Sequence, residues 1–159
     1  MKPATTLIRC MLAVSSLWLL SGCLKDHLTK TYSILTPVYK DKKEVLAQLN
    51  APQPLPVEQP GKIYLYNQYI FLNEVDKGVH VIDNSNPSHP VNIAFIAIPG
   101  NRDIAVKGHY LYADFNTDLL CIDISNPAHS SLIKIVPNVF PERFWNYGIA
   151  SVPGKVIVS

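Results

Sequence analysis

Beyond residue 60 the chain is written in short apolar runs separated by Asn, Gly, Asp and Pro clusters. Runs rich in Ile, Val, Tyr, Phe and Leu with such punctuation predict short strands rather than helices. The pattern also repeats. Residues 78–87 (GVHVIDNSNP) return forty positions later as residues 118–127 (DLLCIDISNP), with five of the ten positions identical. Upstream, residues 63–72 (IYLYNQYIFL) align with residues 104–113 (IAVKGHYLYA) at an offset of 41, and Asn67 falls on Gly108. Both residue types tolerate the positive φ of a tight hairpin. The change of offset falls between Glu74 and Gly78, in a turn, where an insertion costs least.

Each unit then holds four strands: near 62–66, 69–73, 79–83 and 91–98, and near 103–107, 110–114, 119–124 and 131–136. Four antiparallel strands in about forty residues make a β-propeller blade. Val79 and Val81 point to one side and Ile82 to the other, so the sheet is apolar on both faces and must be sandwiched by neighbours. The expected fold is all-β: two four-stranded blades (61–100 and 101–140) and an incomplete third (141–159), whose copy of the pattern begins at residues 149–158 (IASVPGKVIV). The runs Val79-His80-Val81-Ile82-Asp83 and Leu119-Leu120-Cys121-Ile122-Asp123, each followed by a Ser-Asn-Pro turn, resemble the LVIVD repeat. That resemblance implies propeller-type blades in bacterial extracytoplasmic proteins, many of them lipoproteins, and brings no catalytic residues with it. Propellers close with about four to eight blades. Two blades and a beginning therefore leave an apolar face and strand edges open. A fragment, a truncated gene, or blades supplied by another copy of the chain would each account for this, and the end inside a predicted strand favours the fragment.

The N-terminus carries a different pattern. Lys2 and Arg9 precede an apolar stretch at residues 10–20 (CMLAVSSLWLL). Eleven residues suit a secretory signal and fall short of the roughly twenty that cross a bilayer. Leu20-Ser21-Gly22-Cys23 then reads as a lipobox, with small residues ahead of the cysteine that is acylated after cleavage. Residues 1–22 are thus read as a lipoprotein signal peptide and Cys23 as the lipidation site. Residues 23–60 read as a lipidated tether: residues 41–49 could form two helical turns, and prolines 52, 54, 56 and 60 stiffen the approach to the repeats. The expected location is the cell envelope, most simply the outer membrane.

Removing the signal also neutralises the chain. Fourteen basic side chains fall to twelve when Lys2 and Arg9 leave, against twelve acidic ones. Neither that balance nor any basic stripe interleaved with aromatics points to nucleic acid. Cys121 is left without an intramolecular disulfide partner and lies in an apolar run, where an inert buried thiol is expected.

Candidate chemistry is sparse. The Asp-x-Ser-Asn-Pro corners at Asp83 and Asp123 could offer oxygen ligands, but each holds one carboxylate, and a capped turn is the simpler reading. His89 and His129 occupy equivalent turns about one sheet spacing apart, too far to share a zinc. No metal or cofactor is expected. The segment 139–148 (VFPERFWNYG) contains the residues by which the repeat offset grows to 45. Phe144, Trp145 and Tyr147 could stack on a ligand at a channel rim, with Glu142 and Arg143 hydrogen-bonding it; the simpler reading is that the aromatics wedge between blades as core, since they bury large apolar area wherever they can.

The expected function is a membrane-anchored, non-catalytic binding module whose partners are a glycan or an envelope protein, with self-association through open blade edges as a further expectation. The alternative is a propeller enzyme, a hydrolase or lyase with catalytic groups on further blades. A scaffold that only presents its repeat surface is the third.

Overall fold

The computed structural model describes residues 31, 36–49, 53–141 and 152–158. The chain divides into Met1–Leu35 and Thr36–Ser159, and every element below lies in the second unit. No helix among the described residues is long and apolar enough to cross a membrane.

Two four-stranded antiparallel sheets carry the repeats. The first is β2 (Pro60–Tyr66), β3 (Tyr69–Glu74), β4 (Gly78–Asp83) and β5 (Val91–Ala97), paired in that order. The second is β6 (Ile104–Lys107), β7 (Tyr110–Phe115), β8 (Asp118–Asp123) and β9 (Ser131–Val136), also in sequence order. All eight expected strands are present within two residues of their expected ends. The hairpins turn where the repeat places them. Asn67 has φ 51° and Gly108 φ 60° between the first two strands, and Asp76 (φ 61°) and Asn116 (φ 54°) occupy the next turns. Gly78 opens β4 at φ 148°, where a Cβ would sit 2.1 Å from the Ile96 carbonyl oxygen, so a side chain is excluded there. Both blades also carry the same irregularity, a register shift between the third and fourth strands at Val81/Ile82 and again at Cys121/Ile122.

Strand register fixes what each face carries. Tyr64, Phe71, Val81 and Ala94 are successive cross-strand partners, as are Asn73, Val79 and Ile96, so one face of the first blade is Tyr64, Phe71, Val79, Val81, Ala94 and Ile96. In the second blade Ile104, Val106, Leu111, Ala113, Leu120 and Ile122 share a face by the same reasoning. The two sets form one buried cluster, the junction between blades. Residues such as Phe71, Val79, Leu111 and Leu120 are fully buried there. The opposite face of the second blade is only half covered, and Cys121 lies on it. The thiol is therefore half-buried rather than part of the core.

The segment before the repeats is more structured than a spacer. Asp41 ends β1 (Tyr39–Asp41) and caps α1 (Lys42–Ala47), its Oδ1 accepting from the Lys43 and Glu44 N–H groups at 2.8 and 3.4 Å. Six residues of isolated helix would not persist in water. Here Val45 and Leu49 enter the core cluster and supply what propensity lacks. β1 pairs antiparallel with β10 (Lys155–Ile157), the strand of the third copy, with Val156 buried.

Candidate functional site

Cys23 and the rim residues Glu142, Arg143, Phe144, Trp145 and Tyr147 lie outside the described residues. The flanks of the aromatic segment are described, and they converge. Ahead of it, the Asn138 N–H donates to Asp118 Oδ1 at 3.0 Å and the Phe140 N–H to the Thr117 carbonyl at 2.8 Å. Beyond it, Ile157 exchanges hydrogen bonds with Asn116. Its N–H donates to Oδ1 at 3.3 Å, and its carbonyl accepts from Nδ2 at 3.3 Å. Both flanks thus meet the turn between β7 and β8, whose Asn116 takes positive φ at the one position that requires it.

A cavity of about 190 Å³ opens beside this turn, lined by Tyr39, Lys42, Asn116, Thr117, Asp118 and Lys155 among others. The Lys42 ammonium pairs with the mostly buried Asp118 carboxylate, which also accepts from the Thr117 hydroxyl at 3.3 Å. Its lining mixes these polar groups with the almost wholly buried Phe115 and Val156. Its volume is below the roughly 300 Å³ of ordinary ligand pockets. Lys42 and Tyr39 carry no signal in the sequence, because they come from the segment ahead of the repeats, which reads as a tether. Asn116 and Asp118 could have been found from the offset change, which marks their neighbourhood.

Two other polar clusters are buried. Glu74 accepts from the Glu58 N–H at 3.1 Å, from the Gln59 N–H, and from His80, whose Nε2 lies 3.1 Å away. Asn92 Nδ2 donates to His80 Nδ1 at 3.1 Å and to the Leu55 carbonyl at 2.8 Å. With Nδ1 accepting from Asn92, the Nε2–H is the one that points at Glu74. Burial pushes the Glu74 carboxyl up, but the Gln59 and Glu58 N–H groups and His80 pull it further the other way, leaving it below the usual range. Carboxylate, imidazole and amide stand in the order of a hydrolase relay. Yet His80 is wholly buried and both its ring nitrogens are engaged, so the cluster clamps the proline-rich segment to the blade. At the blade junction, Asn73 Nδ2 donates to Asn101 Oδ1 at 2.5 Å, and Asn101 Nδ2 to Asp114 Oδ1 at 2.7 Å. Asp114 Oδ1 also accepts the Arg102 and Asp103 N–H groups at 2.9 and 2.8 Å. Asn73 and Asp114 are equivalent repeat positions turned to the same task.

The Asp corners are capped turns. The Ser85 N–H donates to Asp83 Oδ1 at 2.8 Å and the Ser125 N–H to Asp123 Oδ1 at 2.7 Å. The Ser85 N–H and hydroxyl hold the Asp83 carboxyl below its ordinary value, and the Ser125 hydroxyl and N–H do the same for Asp123. His89 and His129 are exposed turn residues with matching backbone bonds to the Asn86 and Asn126 carbonyls, both 2.9 Å.

Comparison with known proteins gives one family. A model described as LVIVD repeat matches twice, over residues 61–96 and 100–137. No curated protein matches the chain, and no solved structure does.

Proposed function

We propose that this chain, which carries two LVIVD repeats of propeller-blade type, is a lipid-anchored, non-catalytic interaction module of the bacterial cell envelope. Cys23 is its attachment to the outer membrane, and a glycan or envelope protein is its partner. The observation that supports binding is the convergence of both flanks of the aromatic segment on a polar cavity beside Asn116 and Asp118. In this reading Phe144, Trp145 and Tyr147 stack on the ligand, and Glu142 and Arg143 hydrogen-bond it.

The binding half is tested on a glycan array and by recovery of envelope proteins. Trp145→Ala should abolish whichever interaction the unmodified protein shows; binding unchanged in that variant removes the aromatic rim from the reading. Turnover of a glycan during the same assay would replace the module by an enzyme. The anchor is tested separately. Cys23→Ala should move the protein from the membrane fraction to the soluble fraction, and retention in the membrane would defeat the lipid assignment.

A further inference from the structure

Three neighbouring positions set the first blade apart from the second. Glu74 faces Gly78 as Phe115 faces Asp118, His80 faces Leu72 as Leu120 faces Ala113, and Asn92 faces Ile82 as Leu132 faces Ile122. The repeat is therefore satisfied by apolar side chains at all three positions. The polar set answers something particular to the first blade, and that is the segment 55–59 bound to it.

This segment is held by polar groups. Residues 53–60 are all exposed, and Leu55 and Val57 keep 46 and 43% of their surface in solvent, so little apolar burial fastens them. At one end the Glu58 and Gln59 N–H groups donate to Glu74, and the Gln59 carbonyl accepts from the Val75 N–H at 3.0 Å. At the other end the Leu55 carbonyl accepts from Asn92 Nδ2 at 2.8 Å. The Glu58–Lys77 ion pair is exposed and adds little.

The bonds of Asn92 depend on the charge of His80. Asn92 Nδ2 serves two acceptors, the Leu55 carbonyl and His80 Nδ1, while its Oδ1 is buried and has no hydrogen-bond partner among the described residues. A buried amide with an unused oxygen holds a second orientation in reserve. The neutral ring favours the first orientation, because Nδ1 offers a lone pair. An imidazolium carries N–H on both nitrogens, and its Nδ1–H would oppose the Asn92 amide donor. Turning the amide over gives Nδ1–H an acceptor, but it sets that same oxygen against the Leu55 carbonyl. The charged ring meanwhile keeps Glu74 at Nε2, the charge-assisted bond that a buried cation requires. The Leu55 contact is lost on protonation, and the Glu74 contacts survive it.

We propose that Glu74, His80 and Asn92 form an acid-operated latch, in which protonation of His80 frees the Leu55 end of the segment while Glu74 keeps residues 58 and 59 pinned. Few charges face the ring. β3 supplies Glu74, β5 supplies the neutral Asn92 and Phe95, the latter with its ring centroid 4.8 Å away, and the segment supplies Glu58, whose carboxylate turns outward to Lys77. Glu74, held below the usual carboxylate range, stays ionised through the interval in which imidazoles ordinarily change charge.

A nitroxide on Leu55→Cys, in a full-length chain with Cys10, Cys23 and Cys121 replaced by Ser, reports the motion of that end by electron paramagnetic resonance. From about pH 8 to about pH 5 the spectrum should pass reversibly from a mostly slow to a mostly fast component. The chain has other histidines, and His80→Gln separates their effect: its spectrum should be the same at both ends of the range. Asn92→Ala removes the donor to Leu55 and should give the fast spectrum at every pH. A label at the exposed Ile133→Cys, on the second blade, should not respond. A slow component that persists on acidification, a pH response retained in His80→Gln, or a slow spectrum in folded Asn92→Ala at about pH 8 overturns the latch. So does an equal response at position 133, which would mean general loosening.

Discussion

Glu74 illustrates how a charged residue is made structural. It is almost wholly buried, and its two oxygens gather two backbone N–H groups of the preceding segment and the His80 ring. Glu74→Gln keeps the shape but removes the charge that strengthens these bonds, and should cost about 1–3 kcal/mol in urea unfolding. The pH dependence follows from the direction of the shift. A carboxyl held below its ordinary value of 4.5 contributes stability fully present above that value and lost as pH falls through the lower folded one. Unfolding midpoints should therefore drop on acidification below about pH 4.5, and less steeply in Glu74→Gln. His80 occupies the position of Leu120 in the second blade, where the neighbouring blade supplies an apolar cover. At His80 the cover is the peptide backbone of residues 55–59, and a polar residue answers it.

At the scale of elements, α1 is held by packing rather than by propensity. Leu49→Ala should destabilise the whole unit by about 2–5 kcal/mol, measured by denaturant unfolding, whereas a side chain in a free spacer would change nothing. The blades themselves were legible from residues 61–136, because a repeat tests every strand twice: Ile82-Asp83 and Ile122-Asp123 had to fall at the same point of the same element, and they do. The segment ahead of them was not legible. Tyr39-Lys40-Asp41 is too short to show a period, and its partner lies more than a hundred residues away. The clamp on residues 55–59 is carried by main-chain groups, which prolines 54 and 56 present as extended backbone without declaring a partner. Of the candidate site, the 138–140 flank was foreseeable from the growth of the repeat offset, while Lys42 and Tyr39 arrive only through the pairing of β1 with β10.

At the scale of the molecule, the first blade presents Ile63 and Leu65 to solvent, 60 and 68% exposed, on the face opposite the junction with the second blade. Apolar side chains on an edge strand invite association. Leu65→Lys should lower concentration-dependent light scattering without altering the unfolding midpoint by more than about 0.5 kcal/mol, the usual range for a surface change. The pairing of β1 with β10 has a mechanical consequence. A pull applied on the N-terminal side of Thr36 meets the three-residue ladder and α1 before it reaches either blade. When that ladder yields, residues 36–41 pay out on the order of 20 Å of chain at about 3.4 Å per residue, while α1 stays packed on the core. In a force-extension trace this release should appear as a small first step, at lower force than the rupture of the blades. The short strand would then act as a fuse, lengthening the leash under load and sparing the folded repeats.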